Sequence, residues 1–417
     1  MQSLKREKVI VVGGGFAGIQ LLKHLDQDLF EVLLIDKLNH HQFQPLFYQV
    51  ATSQIEPGSI SFPLRKILQD RKNTQIRMAE VTMIDPVNHS ILTTIGSFHY
   101  DKLIIAAGCS TNYFGNKEIQ KNTYSLKSTY DAIKIRNNIL QNFEDLLSAK
   151  PEEREFLENL VIIGAGPTGV ELAGAFSEIR NNILPKDYPR INFKDLKIIL
   201  IEGSGHTLNT MSEMAKEASE RYLRGMGVEI LTNVMVNSYD GEIVELSNGN
   251  SIKSKQVIWT AGVTGNVIKG LPPDVLNRNR YIVDRYSRVK GQSDIYAVGD
   301  IAYMETPKYP GGHPQVANVA INQAKNLSAN LKRILTNKPL KEFEYYDKGT
   351  MATIGKKKAV VDLPYLKFRG FFAWLVWMFL HLMLILSVRN KMVIFINWAW
   401  LFFTRDTSLR LILKEQQ

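Results

Sequence analysis

Residues 9–18 read VIVVGGGFAG. The four β-branched residues favour a buried strand, and Gly13, Gly15 and Gly18 follow with the spacing G-x-G-x-x-G. In this spacing the first glycine permits a tight turn, the second lets a pyrophosphate approach the backbone, and the third lets the next helix pack close to the strand. The stretch therefore predicts a strand, a glycine turn and a helix whose N-terminus binds a dinucleotide.

An acidic residue completes this first pattern. A second predicted strand, residues 31–35, ends at Asp36, close to where a ribose-binding acid is found, about 20 residues after the glycines. A G-x-G-x-x-G alone is a weak signal, but the same motif between a strand and a helix, with its acid, is a strong one.

The composition is that of a globular protein with enough apolar side chains for sizeable cores. The chain has 417 residues, 45% hydrophobic and 22% charged, and domains of about 100–200 residues predict two to three of them. The formal net charge of +10 is compatible with a nucleic acid or an anionic membrane surface. Because no nucleic-acid-binding motif accompanies the charge, we do not expect nucleic acid as a partner.

Cys109 is the only cysteine, which excludes an internal disulfide and a C-x-x-C redox pair. No electron transfer through an intramolecular dithiol is therefore expected, and no metal site is predicted. The first eight residues contain no apolar signal segment, so we expect the folded body to stay in the cytoplasm.

The opening pattern recurs in the middle of the chain. Residues 160–163 predict a strand, residues 164–169 read GAGPTG, and a helix is predicted over residues 170–180. The next strand, residues 197–201, ends at Glu202 after an apparent insertion at residues 181–193. The repeat predicts an α/β protein with two Rossmann-like domains.

The two acids also bear on the ligands. A carboxylate such as Asp36 or Glu202 accepts hydrogen bonds from both ribose hydroxyls and repels a 2′-phosphate, which predicts NADH rather than NADPH. Two dinucleotides in one oxidoreductase are usually a flavin and a nicotinamide, because hydride passes directly between their stacked rings.

Other segments have more than one interpretation. Residues 103–108 and 257–263 predict strands that end in small residues, and residues 295–300 predict a strand ending at Asp300, either a ligand-binding acid or a helix N-cap. Residues 39–60 predict an ordered loop or helix start over a ligand, or equally a packed surface loop. We predict helices over 127–147 and 314–331, a charged linker over 150–158, and a strand pair over 343–353 that turns at Gly349.

Two apolar blocks, residues 371–386 and 392–403, lie near the C-terminus. Both are shorter than the ~20 residues needed to span a bilayer, and both carry tryptophans. Cations flank them at Arg389, Lys391, Arg405, Arg410 and Lys414. This pattern predicts two helices lying in the interface of the cytoplasmic leaflet against anionic lipid. The alternatives are a buried hairpin, a homodimer interface and a transmembrane hairpin.

Taken together, these motifs resemble the type II NADH dehydrogenases, the non-pumping NADH:quinone oxidoreductases. The resemblance covers nearly the whole chain. It is most specific at residues 13–18, 44–47, 164–171 and 297–300 and in the apolar tail. It implies non-covalent FAD in a domain formed by residues 1–125 and 285–335, and NADH in residues 155–280. Residues 340–417 then form a C-terminal domain with amphipathic anchoring helices over about 366–417.

The resemblance also implies site residues. It assigns FAD to Gly13, Gly15, Phe16, Ala17, Gly18, Asp36, Lys37, Val81, Ala107, Gly108, Asp300 and Ala317. It assigns NADH to Gly164, Gly166, Pro167, Thr168, Gly169, Glu202 and Gly262. Glu171 matches the family's catalytic glutamate in quinone-side proton chemistry, with a solvated first-turn acid as the alternative.

The quinone-site candidates are Gln44, Asn318, Asn322 and Lys348. The family motif A-Q-x-A-x-Q here has asparagines at residues 318 and 322. Because asparagine is one methylene shorter than glutamine, a contact to the quinone requires a shifted ligand or a bridging water. For Lys348, a structural ion pair is the alternative.

The implied function is oxidation of NADH, with two electrons passed through FAD to a membrane quinone, menaquinone or ubiquinone, without proton pumping. The implied location is peripheral, on the cytoplasmic face of the cell's inner membrane. The alternatives are a ferredoxin reductase-like enzyme with a soluble acceptor and an NADH-binding signalling flavoprotein. Sulfide:quinone oxidoreductases and disulfide reductases need paired cysteines, which this chain lacks.

Overall fold

A computed structural model of the chain describes residues 6–407 and 409–413. The chain forms two units, and each is discontinuous in sequence. The first comprises Met1–Gln42, Phe62–Ser110 and Val263–Tyr346; the second comprises Phe43–Ser61, Thr111–Gly262 and Asp347–Gln417.

Twelve α-helices lie within the described ranges. They are α1 (Phe16–His24), α2 (Phe47–Ala51), α3 (Leu64–Ile67), α4 (Lys117–Asn122), α5 (Thr129–Leu146), α6 (Pro151–Glu158), α7 (Pro167–Asn182), α8 (Leu184–Asp187), α9 (Glu213–Gly225), α10 (Ala317–Leu335), α11 (Phe371–Leu384) and α12 (Val388–Thr404). Short 3₁₀ helices occupy Gln44–Leu46, Pro57–Ser59, Pro273–Val275 and Gly299–Ile301.

The strands of the same residues are mostly short. They are β1 (Glu7–Val12), β2 (Phe30–Asp36), β3 (His40–Gln42), β4 (Ser61–Pro63), β5 (Thr74–Met78), β6 (Val81–Asp85), β7 (Ser90–Thr93), β8 (Gly96–His99), β9 (Lys102–Ile105), β10 (Cys109–Thr111), β11 (Tyr124–Ser125), β12 (Asn159–Ile163), β13 (Lys197–Glu202), β14 (Val228–Thr232), β15 (Val236–Tyr239), β16 (Ile243–Leu246), β17 (Ser251–Lys253), β18 (Gln256–Trp259), β19 (Val263–Gly265), β20 (Leu276–Asn277), β21 (Arg280–Val283), β22 (Ile295–Ala297), β23 (Ala302–Met304), β24 (Thr350–Gly355), β25 (Lys358–Asp362) and β26 (Lys367–Arg369).

The first unit is built on a parallel sheet in the order β22-β9-β1-β2-β5. Helices α1 and α10 pack over one face with Leu22, Ala324 and Leu327 in the core. A second core on the other face includes side chains from β21 and β23. Since both faces are covered, the central strands are buried apolar runs, as expected for parallel sheets. The predicted first strand, glycine turn and Asp36 at the end of β2 are confirmed.

The second unit repeats this plan with a parallel sheet in the order β11-β18-β12-β13-β14. Helix α7 follows β12 directly, and Glu202 ends β13. The helix begins at Pro167 and ends at Asn182, so it is longer at both ends than the predicted range 170–180. Part of the apparent insertion is the short helix α8.

The C-terminal part of the second unit is an antiparallel sheet, β24-β25-β26, against which α11 packs. The strand pair predicted over 343–353 is wrong, because β24 begins at Thr350 and pairs with β25 through a turn at residues 356–357. Gly349 has φ of +102°, but it precedes the strand rather than reversing it. The two predicted C-terminal helices are present as α11 and α12. No helix among the described residues is long and apolar enough to cross a bilayer.

The predicted linker over 150–158 is also wrong, since these residues form α6. Pro151 occupies the first helical position, and the Glu153 carboxylate accepts the Lys150 N–H at 3.2 Å. An ion pair between Arg154 and Glu158 spans one turn at 2.9 Å. Proline and acids at the start of a charged segment were therefore helix-start signals.

We expect Gly174 in α7 to be a stability determinant, because a Cβ there would collide with the Ile354 carbonyl oxygen of β24. The change G174A should destabilise the fold by about 1–3 kcal/mol and lower the apparent unfolding temperature by roughly 2–4 °C per kcal/mol. Gly225, the last residue of α9, provides the control because a Cβ there meets nothing within 4 Å. Equal shifts of the unfolding temperature in G225A and G174A would show that the close approach of Gly174 to Ile354 does not affect stability.

Candidate functional site

The first glycine turn combines close packing with one open position. Gly13 has φ of +106°, and a Cβ on it would collide with the Ala106 carbonyl. A Cβ on Gly18 would collide with the Gly13 carbonyl, whereas a Cβ on Gly15 would meet nothing within 4 Å. The backbone at Gly15 therefore faces open space at the N-terminus of α1, where a phosphate group fits.

Asp36 is held beside this turn by the backbone. Its Oδ2 accepts the Gly14 N–H at 2.6 Å and its Oδ1 accepts the Leu38 N–H at 2.7 Å. Burial raises the pKa of Asp36, and the two N–H groups oppose that shift. His41, which sequence reasoning missed, lies with Nδ1 3.0 Å from the Gly14 carbonyl oxygen, and burial lowers the pKa of His41 to about 4. A neutral imidazole donating from Nδ1 therefore braces the turn.

Asp300 lies at the carboxyl edge of the same sheet. It is not an N-cap, since Val298 occupies that position of its 3₁₀ turn. Its Oδ2 accepts the Cys109 Sγ–H at 3.0 Å, and its carbonyl accepts from Gln315 Nε2 at 2.9 Å. The adjacent Gly299 N–H donates to the buried Gln323 Oε1 at 2.8 Å. A role for Gln315 or Gln323 was not predicted from the sequence, because neither lies at a position of the family motif A-Q-x-A-x-Q.

All residues that the resemblance assigns to FAD lie in the first unit. Lys37 pairs with Glu80 at 2.6 Å on the surface, Val81 is buried, and Ala317 starts α10. The open glycine, the fixed acid and the small residues Ala107 and Gly108 can hold the pyrophosphate and a ribose of a dinucleotide.

The second glycine turn has the same geometry inside the second unit. Gly164 has φ of +100°, a Cβ on Gly169 would collide with the Gly164 carbonyl, and Gly166 is open. Glu202 Oε2 accepts the Ala165 N–H at 2.7 Å. Its Oε1 accepts the Ser204 N–H at 2.8 Å, so the carboxylate is fixed as Asp36 is.

All residues that the resemblance assigns to NADH lie in this second unit. Pro167 occupies the first turn of α7, Thr168 is exposed beside it, and Gly262 has φ of +75° next to the Phe114 ring. The two predicted ligand sets therefore separate cleanly between the two units.

A cavity of about 420 Å³ lies within the second unit. It is lined by side chains from α2, α7, the β24–β25 turn, α11 and α12. Its titratable and aromatic lining includes Tyr48, Glu171, Glu178, Lys356, Arg405, Trp374, Trp377, Trp398 and Phe402. Carboxylates, cations and aromatic rings thus share one partly apolar enclosure, as ligand sites do.

Glu171, in the first turns of α7, is half-buried on this cavity. Burial raises the pKa of Glu171 to about 8. The Thr353 N–H, 3.4 Å from Oε1, and the Trp377 side chain lower it by smaller amounts. Glu171 is therefore not a freely solvated first-turn acid, and it can hold a proton at neutral pH.

Glu178 lies two turns further along α7 on the same cavity. Its Oε1 accepts the Lys356 N–H. Burial raises the pKa of Glu178, and the nearby cations Lys358, Lys356 and Arg405 oppose the shift. The Lys356 ammonium donates to the Phe402 carbonyl near the end of α12 and lies 4.3 Å from the Phe402 ring centroid.

The four quinone-site candidates belong to different units. Gln44 is exposed at the start of its 3₁₀ helix, Lys348 is exposed, and neither lines the cavity. Asn318 and Asn322 lie on α10 of the first unit, where the Asn322 side-chain amide donates to the Asn318 carbonyl at 2.7 Å. On the cavity itself, the segment that contains Gln44 contributes Tyr48 and Gln49 instead.

The raised pKa of Glu171 predicts a pH-dependent stability difference. Between its ordinary value of 4.5 and the folded value of about 8, the unfolded chain has lost a proton that the fold retains, so stability falls as pH rises. The variant E171Q should therefore gain stability relative to wild type between pH 4.5 and 8, with a constant difference above that range. Unfolding temperatures across pH 4–9 measure this.

The control for this experiment is E213Q. Glu213 is exposed, and its hydrogen bond with Lys216 lowers its pKa, so its carboxyl group is almost fully ionised above pH 6 in both the folded and the unfolded chain. The difference between E213Q and wild type should stay flat from pH 6 to 8. A flat difference for E171Q as well would contradict a raised pKa of Glu171.

Known proteins resemble this chain along its full length. Residues 7–324 match the pyridine nucleotide-disulphide oxidoreductase family and residues 347–406 match the NDH2 C-terminal domain. The chain is 33% identical over 436 residues to the type II NADH:quinone oxidoreductase Ndh of Mycobacterium tuberculosis, covering 100% of this chain and 92% of that relative. It is 28% identical to the mitochondrial internal alternative NAD(P)H-ubiquinone oxidoreductase A1 of Arabidopsis thaliana, covering 97% and 86%.

A solved structure shows the same fold. NDH2 from Plasmodium falciparum, in complex with NADH, superposes with a TM-score of 0.90 at 23% identity, over 98% of this chain and 100% of that one. The predicted fold class, two Rossmann-like domains with C-terminal helices, is confirmed. The chain belongs to the type II NADH:quinone oxidoreductases.

Proposed function

We propose that this protein oxidises NADH and passes two electrons through bound FAD to a quinone at a membrane surface, without proton pumping. The observation that carries the proposal is the pair of equivalent open glycine turns, one in each unit, in a chain of this family. Two fixed dinucleotide sites are what a direct hydride transfer between two cofactors requires.

The first turn is proposed to hold FAD non-covalently, and the second to bind NADH. When bound, FAD supplies a two-electron carrier between NADH and quinone. The FAD-binding domain over 1–125 and 285–335 then lies mainly in the first unit, and the NADH-binding domain over 155–280 mainly in the second. Because two backbone N–H groups hold Glu202 in place, its carboxylate meets the adenosine ribose and repels a 2′-phosphate.

The cavity is proposed to admit the quinone head group. Reduction of a quinone to a quinol takes two electrons and two protons, and the hydride of NADH accounts for both electrons and one of the protons. Glu171 supplies the other proton from its carboxyl group to a quinone oxygen and is reprotonated from solvent, which its pKa of about 8 permits at neutral pH. On the family pattern we also propose Gln44, Asn318, Asn322 and Lys348 for quinone binding, and none of them belongs to the lining of this cavity.

The C-terminal helices are proposed to seat the protein on anionic lipid at the cytoplasmic face of the cell membrane. Large apolar side chains on α11 and α12 are exposed, including Phe372, Phe379, Val388, Trp400 and Phe403. Arg389 and Arg405 are exposed near them. Arg410 instead pairs with Asp187 and Asp406, and Lys414 lies outside the described residues. A patch of this kind marks an interaction surface.

The two glycine turns allow a matched test of the cofactor assignment. Because Gly15 and Gly166 both have open space for a side chain, valine at either should clash with ligand rather than protein. We expect G15V to lose flavin absorbance on purification. We expect G166V to keep its flavin and lose at least tenfold in kcat/KM for NADH in a NADH:quinone assay. Loss of flavin from G166V alone would reverse the assignment.

Charge on the exposed apolar face tests the membrane assignment. Phe372 and Phe379 are 74% and 66% exposed on α11, so F372D with F379D should leave the fold intact. Sedimentation with vesicles containing anionic phospholipid should fall severalfold. Val87, 84% exposed in the first unit, provides the control V87D, which should bind vesicles like wild type. If the double variant binds normally but changes oligomeric state in sizing experiments, the face is a dimer interface.

A further inference from the structure

Hydrogen bonds connect α12 to the wall of the cavity. Trp398 Nε1–H donates to Gln49 Oε1 at 2.8 Å, and Gln49 Nε2–H donates to Tyr48 Oη at 2.8 Å. The three side chains are only 4–5% exposed, and all three line the cavity. We call this series of three hydrogen-bonded side chains the relay. None of them is charged, so the direction of each hydrogen bond depends only on which atom can donate.

The indole of Trp398 fixes that direction. An indole N–H is a donor and never an acceptor, so Gln49 must present its oxygen to Trp398. The carboxamide then presents its NH₂ group to Tyr48, and the Tyr48 oxygen must accept there. Among the described residues, Gln49 is the one hydrogen-bond partner of the Tyr48 hydroxyl. The hydroxyl hydrogen is therefore left to donate elsewhere.

Trp377 lies on the same cavity and is 2% exposed. Its side chain interacts with the Glu171 carboxyl group and lowers the pKa of Glu171. The Trp377 ring stacks on His381 at 4.1 Å and lies 6.4 Å from the Tyr48 ring. A buried donor without an acceptor is unfavourable, so the Tyr48 hydroxyl hydrogen on this cavity indicates a ligand that carries an acceptor oxygen.

We propose that the Tyr48 hydroxyl donates a hydrogen bond to a carbonyl oxygen of the quinone, and that Trp398 orients this hydroxyl through Gln49. Tyr48 touches the substrate, whereas Gln49 and Trp398 are positioning residues. The inference rests on the proposed function, because it takes the cavity to be the quinone site. Burial raises the pKa of Tyr48 far above its ordinary value, so the hydroxyl keeps its hydrogen throughout the physiological range.

Three variants of the flavin-containing protein test the relay. Y48F removes the hydroxyl. W398F removes the N–H that orders Gln49. Y365F removes a hydroxyl from Tyr365, which is fully exposed and distant in sequence from the relay. With a short-chain ubiquinone analogue, Y48F and W398F should raise the quinone KM by about 3- to 10-fold, and Y365F should not. NADH-dependent bleaching of the flavin without quinone should be the same in all.

A double variant separates orientation from packing. If W398F acts because the Tyr48 hydroxyl loses its fixed orientation, then adding W398F to Y48F should not raise the quinone KM further. Additive effects of the two changes would show that Trp398 acts through packing alone and would overturn its positioning role.

Infrared spectroscopy gives a readout that does not depend on turnover. The carbonyl stretch of a ¹³C-labelled quinone analogue bound to the oxidised protein should lie below its position in apolar solvent. In Y48F and W398F it should move back toward that position, and in Y365F it should not. An unchanged stretch and KM in Y48F would overturn the proposal. Wild-type protein whose flavin is reduced by NADH but that never reduces quinone would refute the proposed function instead.

Discussion

The close approach between Gly174 and the Ile354 carbonyl sets the position of β24 against α7 in the second unit. Glu171, Gly174 and Glu178 have the i, i+3, i+7 spacing that places residues on one face of a helix. Because Gly174 has no side chain, β24 and the turn after it lie directly against this face. Their backbone N–H groups at Thr353 and Lys356 therefore reach the two carboxylates. The absence of a side chain at Gly174 thus allows β24 and the turn after it to donate a backbone hydrogen bond to each of the two carboxylates.

The same packing gives the two acids different surroundings. Glu178 lies near Lys356, Lys358 and Arg405, which favour its charged form. Glu171 has no such cation among the influences on its pKa, and its single backbone donor is distant at 3.4 Å. Desolvation therefore dominates at Glu171. Two carboxylates on one helix are separated into an acid near cations and an acid that retains a proton, a common division in sites that move protons.

The sequence was sufficient for features that depend on local backbone geometry. Both glycine turns and the acids that follow them were predicted, because each glycine of G-x-G-x-x-G is required by the geometry of a short strand–turn–helix segment. The cavity wall was not predictable in this way. Tyr48 and Gln49 lie on a five-residue helix, too short to show a period, and their partner Trp398 is 349 positions away. Helix α6 was missed because its charges resembled those of a linker.

Helix α12 contributes both to the cavity wall and to the exposed apolar surface. No signal in the sequence connected these two features. Asn390, Ile394 and Trp398, spaced four residues apart, are its buried residues. Asn390 donates to the carbonyls of Ser59 and Gly58 at 3.0 and 3.2 Å, and Trp398 donates to Gln49. The inward face thus binds the segment that carries Tyr48, while Trp400 and other apolar residues remain exposed. Since the same helix holds the cavity wall and presents the apolar surface, seating that surface on lipid would also fix Tyr48, the donor proposed to meet the quinone.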